Sequence, residues 1–310
     1  MKGKLIALIT ALLMLFPAGS VCDAEIRTLT LHGKSIEASS DAKTLDLGSV
    51  VLKNNDEDYA QLTAFLRGFP NLEKVDMYET KIRRNRLEAL AEAFPDVEFG
   101  WTIIIPCTNP HHPEFKYHTV RTDATVFSTL HNNQCTTHST EDLSVLRFCK
   151  SLQALDLGHN KLTSIDFIKD LTQIKVLIVA LNPNLEDASP IGNLQDLEYL
   201  ELFRTNVKDI SFLRNCKNLL DLNITYNRIG DYSPLEELQK LERLWLYNSN
   251  NYSDNSPVPK ETVDRLRTAL PNCMINTSSG GTNGGWREHQ RYEVINRMFN
   301  RSEYIPFDNQ

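Results

Sequence analysis

The 310-residue chain has no G-x-S-x-G, no H-E-x-x-H and no glycine-rich loop of the phosphate-cradling kind. No catalytic constellation stands out, and a non-enzymatic protein without a cofactor is expected. Nor is there an excess of basic residues: 33 Lys and Arg stand against 40 Asp and Glu, a formal charge of −7. An acidic surface is a poor match for phosphate backbones, so nucleic acid is not an expected partner. Long apolar runs are scarce too. Leu5 to Phe16 is too short for a comfortable transmembrane span, and no second segment could cross a membrane. This run follows Lys2 and Lys4 and precedes Pro17-Ala18-Gly19-Ser20, the layout of a signal peptide. Residues 1–24 are read as that signal, with cleavage after Ser20 or Ala24, and the expected location is secreted or cell envelope. Cleavage after Ser20 removes Lys2 and Lys4 and makes the charge −9. Cys22 raises a lipoprotein reading, but Val21 stands where a small residue is needed and Gly19 where an aliphatic one is.

What the chain does have is a period. Five phrases open at Leu152, Ile174, Leu197, Leu219 and Leu241, spaced 22, 23, 22 and 22 residues apart. Each reads apolar, two free positions, apolar, one free position, apolar. The inner apolar pairs are Leu155/Leu157, Leu177/Val179, Leu200/Leu202, Leu222/Ile224 and Leu244/Leu246. Asn160, Asn182 and Asn227 follow three residues later, with Thr205 and Ser249 in that slot elsewhere. This is the signature of a leucine-rich repeat. One such unit cannot bury its own apolar face, so the expected fold is an α/β solenoid with parallel strands on its concave face. Its returns are read as mixed. Residues 58–69, 85–94 and 260–270 have helix-like spacing, whereas Ser189-Pro190 and Ser233-Pro234 mark turns or 3₁₀ pieces.

Weaker phrases extend the array over residues 44–276. Leu45/Leu47, Val75/Met77, Val97/Phe99, Phe127/Thr129 and Cys273/Ile275 are assigned to inner core slots. Residues 25–43, with His32-Gly33 between alternating apolar positions, read as an N-terminal cap hairpin. Residues 101–123 break the period, and Thr102–Ile105 and Phe115–Arg121 read as the arms of a second hairpin. Residues 277–285 form a Gly-rich linker, and 286–310 a tail or cap helix with Tyr292, Ile295 and Phe299 on one face. An apolar helix face left in water is unfavourable, so the tail is expected to dock on the last rung.

Residues 152–249 resemble the 22-residue leucine-rich repeats of internalin-like bacterial surface proteins. The phrase Val207-Lys208-Asp209-Ile210-Ser211-Phe212-Leu213 is typical of their return segments, and Gly285-Trp286-Arg287-Glu288-His289 resembles a tail that follows repeat arrays in exported proteins of gut bacteria. The resemblance implies a parallel-strand solenoid and a binding role.

Strand alternation places the residues flanking the inner apolar positions on the concave face. The slot between each pair gives Asp76, Glu98, Asp156, Ile178, Glu201, Asn223 and Trp245; Trp101, His159, Leu181, Arg204 and Tyr226 lie three further on. Val176, Ile178, Leu181, Tyr199, Phe203, Tyr226, Trp245 and Tyr247 converge there and form the candidate partner-binding set, for a protein or glycan ligand. Two other uses remain open for the same residues: lateral packing on the sheet, or contact with a docked tail.

A second candidate is compositional. His111, His112 and His138 lie with Cys107 and Cys135 in residues 107–138, and Cys and His are zinc's preferred ligands. In an exported protein a Cys107–Cys135 disulfide is the plainer reading, and unpaired thiols are a third. Cys149 and Cys216 sit at equivalent places three rungs apart, roughly 14 Å, too far for a disulfide. The leading function is recognition of a protein or glycan through the concave face; the alternatives are a metal-binding exported protein and a structural spacer that assembles through its tail.

Overall fold

The computed structural model describes residues 24–307 except 49, 108–115, 132–135, 248, 252–253, 256, 279–281 and 283–284. Its strands are β1 (Ile26–Leu31), β2 (Lys34–Ser39), β3 (Thr44–Asp46), β4 (Lys74–Ile82), β5 (Glu98–Pro106), β6 (Tyr117–Arg121) and β7 (Val126–Ser128), followed by β8 (Ala154–Asp156), β9 (Val176–Ile178), β10 (Tyr199–Glu201), β11 (Asp221–Asn223), β12 (Arg243–Trp245), β13 (Ser249–Asn251), β14 (Asp254–Asn255) and β15 (Met274–Asn276). The helices are α1 (Asp56–Leu66), α2 (Arg84–Ala93), α3 (Thr140–Leu143), α4 (Lys260–Ala269) and α5 (Gln290–Arg301). Strands β7 to β12 and β15 form one seven-stranded parallel sheet, and β3 to β6 form a four-stranded one.

One continuous cluster of buried apolar side chains runs from Leu29 to Leu270, beneath both sheets. The repeat phrase explains this. The middle residue of each three-residue strand, such as Leu155, Leu177, Leu200, Leu222 or Leu244, pairs in register with its neighbours and points inward. Leu157, Val179, Leu202, Ile224 and Leu246 add a second inward row.

The asparagines close the turns. Asn182 Nδ2 donates to the carbonyls of Leu157 and Val179, each at 2.9 Å, and its Oδ1 accepts from Leu162 N–H at 3.1 Å. Asn227 repeats the pattern, with its Oδ1 accepting from Thr205 Oγ1 at 2.7 Å. The amide thus joins one rung to the next inside an otherwise dry core, where an unpaired carbonyl would be costly. Just before each strand's far turn, His159, Leu181, Arg204 and Tyr226 hold φ of 53–60°. That left-handed bend lets each N–H reach the next rung's carbonyl, for example Leu181 N–H to Phe203 O at 2.9 Å.

The returns are 3₁₀ segments at Asp166–Ile168, Ser189–Asn193, Ser211–Asn215 and Ser233–Glu237. Pro190 and Pro234 occupy their first turn, where no amide is needed. Asp187, Asp209 and Asp231 each accept the N–H two residues on, at 2.8–2.9 Å, and so start each turn. Larger returns carry α1, α2 and α4.

At the N-terminal end β1 and β2 form an antiparallel hairpin that turns at His32-Gly33, and Leu29 and Leu31 enter the core. β5 and β6 pair antiparallel from Thr102↔Arg121 to Pro106↔Tyr117.

Two register assignments are corrected. Val75 pairs with Phe99, not Val97, and Leu244 with Ile275, not Cys273. The first shift turns Trp101 into the core instead of onto the concave face and sets Glu98 beside Lys74. The strands run close at Gly100: a Cβ there would lie 2.6 Å from Asp76 Oδ1 and from the Tyr78 ring, so a larger residue would have to displace those side chains. The second shift leaves Cys273 half-buried just ahead of β15.

Candidate functional site: the concave wall and its C-terminal cover

The concave wall is built by the outward residues of the seven-stranded sheet. The row before the core leucines reads Val126, Ala154, Val176, Tyr199, Asp221, Arg243, Met274; the row after them reads Ser128, Asp156, Ile178, Glu201, Asn223, Trp245, Asn276. At the β7–β9 end the first row is aliphatic and the second opens with Ser128 and Asp156, and the other end carries aromatic and charged groups.

The tail lies on this wall and not on the last rung. Trp286 and, on α5, Val294, Ile295, Met298 and Phe299 are buried together with Val126, Ala154, Val176, Ile178, Ala180, Tyr199, Phe203 and Trp245 in a second apolar cluster, distinct from the main core. The expectation that the tail covers the last rung is therefore corrected: the apolar surface that matches α5 is the wall. α5 starts at an N-cap, where His289 Nδ1 accepts from Arg291 N–H at 3.2 Å, and ends at Ser302 with φ of 54°.

The polar half of the wall is tied to the same segment. Trp286 Nε1 donates to Glu201 Oε1 at 2.8 Å, and Tyr199 Oη donates to the same oxygen. The indole lies 5.4 Å from the Tyr199 ring and 5.1 Å from the Trp245 ring. Arg243 Nη2 donates to the Trp286 carbonyl at 3.2 Å, with its guanidinium 4.5 Å from the indole. Arg291 forks onto fully buried Asp221, Nε to Oδ2 at 2.9 Å and Nη2 to Oδ1 at 2.7 Å, and reaches Glu242 at 2.7 Å. Burial pushes the Glu201 carboxyl above its ordinary range, against the two donated hydrogen bonds. Burial also lowers the Arg243 guanidinium, although Asp221 opposes this.

At the aliphatic end, His131 stacks on Phe299 at 5.2 Å and 24°. Its Nδ1 is 3.2 Å from Asp156 Oδ2, and this hydrogen bond raises the imidazole pKa. Ser128 Oγ donates to Asp156 Oδ2 at 2.8 Å and lies 3.4 Å from the same His131 Nδ1. One ring nitrogen thus faces both partners, so the group is not a Ser–His–Asp relay, which needs both nitrogens engaged in series.

The candidate partner-binding residues divide accordingly. Val176, Ile178, Tyr199, Phe203 and Trp245 lie in the tail-covered cluster, and Leu181 is half-buried against it. Tyr226 and Tyr247 sit farther along, edge-to-face at 5.5 Å, with the Arg204 guanidinium 5.0 Å over Tyr226. Asp221 and Glu242 on the array and Arg291 on the tail were not recognised as site residues in the sequence; complementary charge on the array and on the tail is the signal that points to them.

Of the metal candidates, Cys107 is disulfide-bonded, so it offers no thiolate, and that assignment is corrected. His111, His112 and Cys135 lie outside the described residues. His138 is buried beside His118, ring centres 5.4 Å apart, and its backbone N–H donates to Asn160 Oδ1 at 2.9 Å. Among the described residues no three His, Cys, Asp or Glu side chains are grouped to hold a metal ion. Cys149 and Cys216 are free and buried, and burial pushes both thiols up to about 12. No helix among the described residues is long and apolar enough to cross a membrane.

Coils of 22 and 23 residues, each adding one short parallel strand to a common sheet over a shared leucine core, define the architecture. It is a leucine-rich repeat solenoid. No protein-family profile matches the chain, and no curated protein sequence matches it. Among solved structures it is similar to internalin C2 of Listeria monocytogenes, at 19% identity over 71% of this chain and 84% of that one, with a TM-score of 0.37. Internalin F of the same organism matches at 18% identity over 78% of this chain and 83% of that one, with a TM-score of 0.33. The Arabidopsis receptor kinase HAESA, solved in complex with the peptide hormone IDA and the co-receptor SERK1, matches at 20% identity over 74% of this chain and 29% of its own, with a TM-score of 0.33.

Proposed function

We propose that this solenoid is an exported, non-enzymatic recognition protein that binds a protein partner through its concave wall, with Val176, Ile178, Leu181, Tyr199, Phe203, Tyr226, Trp245 and Tyr247 as its contact residues. The observation that carries the reading is the occupancy of that wall by a polypeptide segment. Large rigid aromatics on a concave, repeat-built surface supply contact area at low entropic cost. The complement of this wall is the apolar face of a helix, which favours a polypeptide over a glycan. The disulfide at Cys107 fits an oxidising compartment, in keeping with the signal-like residues 1–24.

A partner must then share or replace the tail. Capture of the partner is tested with three full-length chains: the natural one, one with Trp286→Ala and Arg291→Ala, and one with Phe203→Ala and Trp245→Ala. Stronger capture by the tail variant and none by the wall variant is the expected pattern. Equal capture by all three, with the array folded, overturns the concave-wall reading.

A further inference from the structure

The cluster under α5 is separate from the main core. The main core is built mostly of leucine, isoleucine and valine contributed by the coils themselves. The wall contact joins Trp286 and the apolar face of α5, which follow the Gly-rich residues 277–285, to Tyr199, Phe203 and Trp245 of the array, with Arg243 against the indole; Trp, Tyr, Phe, Met and Arg are enriched at the centres of protein–protein interfaces.

Two slots stand out within it. The first holds an indole: Tyr199 and Trp245 flank the ring, Glu201 takes its N–H at 2.8 Å, and Arg243 binds the carbonyl of the same residue at 3.2 Å. The second holds a guanidinium five residues later, gripped at both oxygens of Asp221 and by Glu242. Beyond the slots, Val126, Ala154, Val176 and Ile178 form an aliphatic track under Val294, Ile295, Met298 and Phe299.

We propose that the wall is a two-slot reader of helical polypeptides. Its partner carries a tryptophan, an arginine five residues later and then an apolar helical stripe, and the chain's own tail is a resident stand-in for that partner. This rests on the protein-binding reading above and names the partner's chemistry. The fork of Asp221 selects arginine over lysine, because a point-charge ammonium cannot span both oxygens. The buried Glu201 selects an indole over a phenyl ring, because only the indole donates a hydrogen bond to it.

The probe is a synthetic peptide of residues 285–307, titrated calorimetrically into full-length chain bearing Trp286→Ala and Arg291→Ala. One-to-one binding is expected, with natural chain binding the peptide at least about tenfold more weakly because its wall is filled. Peptides carrying Trp286→Phe or Arg291→Lys should each lose about tenfold or more in affinity. Equal affinity of the three peptides overturns the proposal, as does no binding to a variant whose circular dichroism matches the natural chain. If the double variant fails to fold, the single full-length variant Arg291→Glu takes its place with the same outcomes. The two readings fail separately: a foreign partner captured through Phe203 and Trp245 while the peptides fail would retain concave-wall binding and remove only the two-slot chemistry.

Discussion

The indole N–H of Trp286 donates to the buried carboxylate of Glu201 at 2.8 Å, across 85 positions of sequence, and this contact fastens the tail to the middle of the wall. Trp286→Ala removes that bond and leaves a hole between Tyr199 and Trp245. A loss of about 3–5 kcal/mol is expected in unfolding free energy if the tail and array melt together. Denaturant titration followed by circular dichroism checks it; a loss below about 1 kcal/mol means that the indole is not packed as described.

Glu201 should also make stability depend on pH. Its carboxyl is raised by burial, so the folded state holds the proton more tightly than the unfolded chain does. The stabilisation is therefore full below the ordinary carboxylate pKa and is lost as pH rises through the raised folded value. Glu201→Gln keeps an acceptor for the indole and removes the titration. The two chains should be similarly stable at acid pH and diverge as pH rises through the folded value, the natural chain falling while the variant responds more flatly; parallel curves contradict the assignment.

Arg291 and Asp221 form the buried charge pair of the interface, with Arg243 Nε 3.2 Å from the same carboxylate. Removing one partner of a buried pair strands the other, so Arg291→Ala should cost about 3 kcal/mol or more. In a double-mutant cycle with Asp221→Asn, the coupling should exceed about 1 kcal/mol. Additive losses would show that the fork does not form.

His131 adds a second pH dependence at the far end of the tail. Asp156 raises its pKa; Ser128 on the sheet side, Glu201 nearby, and Asn296 and Phe299 on α5 complete its surroundings. A raised histidine contributes fully below its ordinary pKa of 6.5, and that contribution is lost as pH rises through the folded value. His159 and His289, both lowered chiefly by burial, act in the opposite sense as pH falls. His131→Gln should therefore remove the loss on the alkaline side and leave the acid-side response. An unchanged profile rejects His131 as its source.

The solenoid was legible because burial of the leucines repeats with the coil length, and nothing else fits a 22-residue period. Leu155, Leu177, Leu200, Leu222 and Leu244 stand opposite one another as the spacing requires. Legibility failed where a return segment changes length. The β4–β5 step is 24 residues at Val75 and Phe99, and the β12–β15 step 31 at Leu244 and Ile275, so a fixed offset misplaces Trp101 and Cys273. The wall residues were found as a set, because alternation along a strand fixes their side. That α5 covers them was one of three uses left open: periodicity reports which face of a helix is apolar but not which distant surface it meets.

The most direct test of the account is amide hydrogen exchange across residues 290–301 in the full chain. If α5 is seated on the wall by Trp286 and Arg291, the amides of its buried face are protected well beyond those of an isolated helix, and the Trp286→Ala, Arg291→Ala chain loses that protection while the strands from β8 to β12 keep theirs. Exchange of the natural tail at the rate of a free peptide would contradict the seated tail and every slot drawn from it.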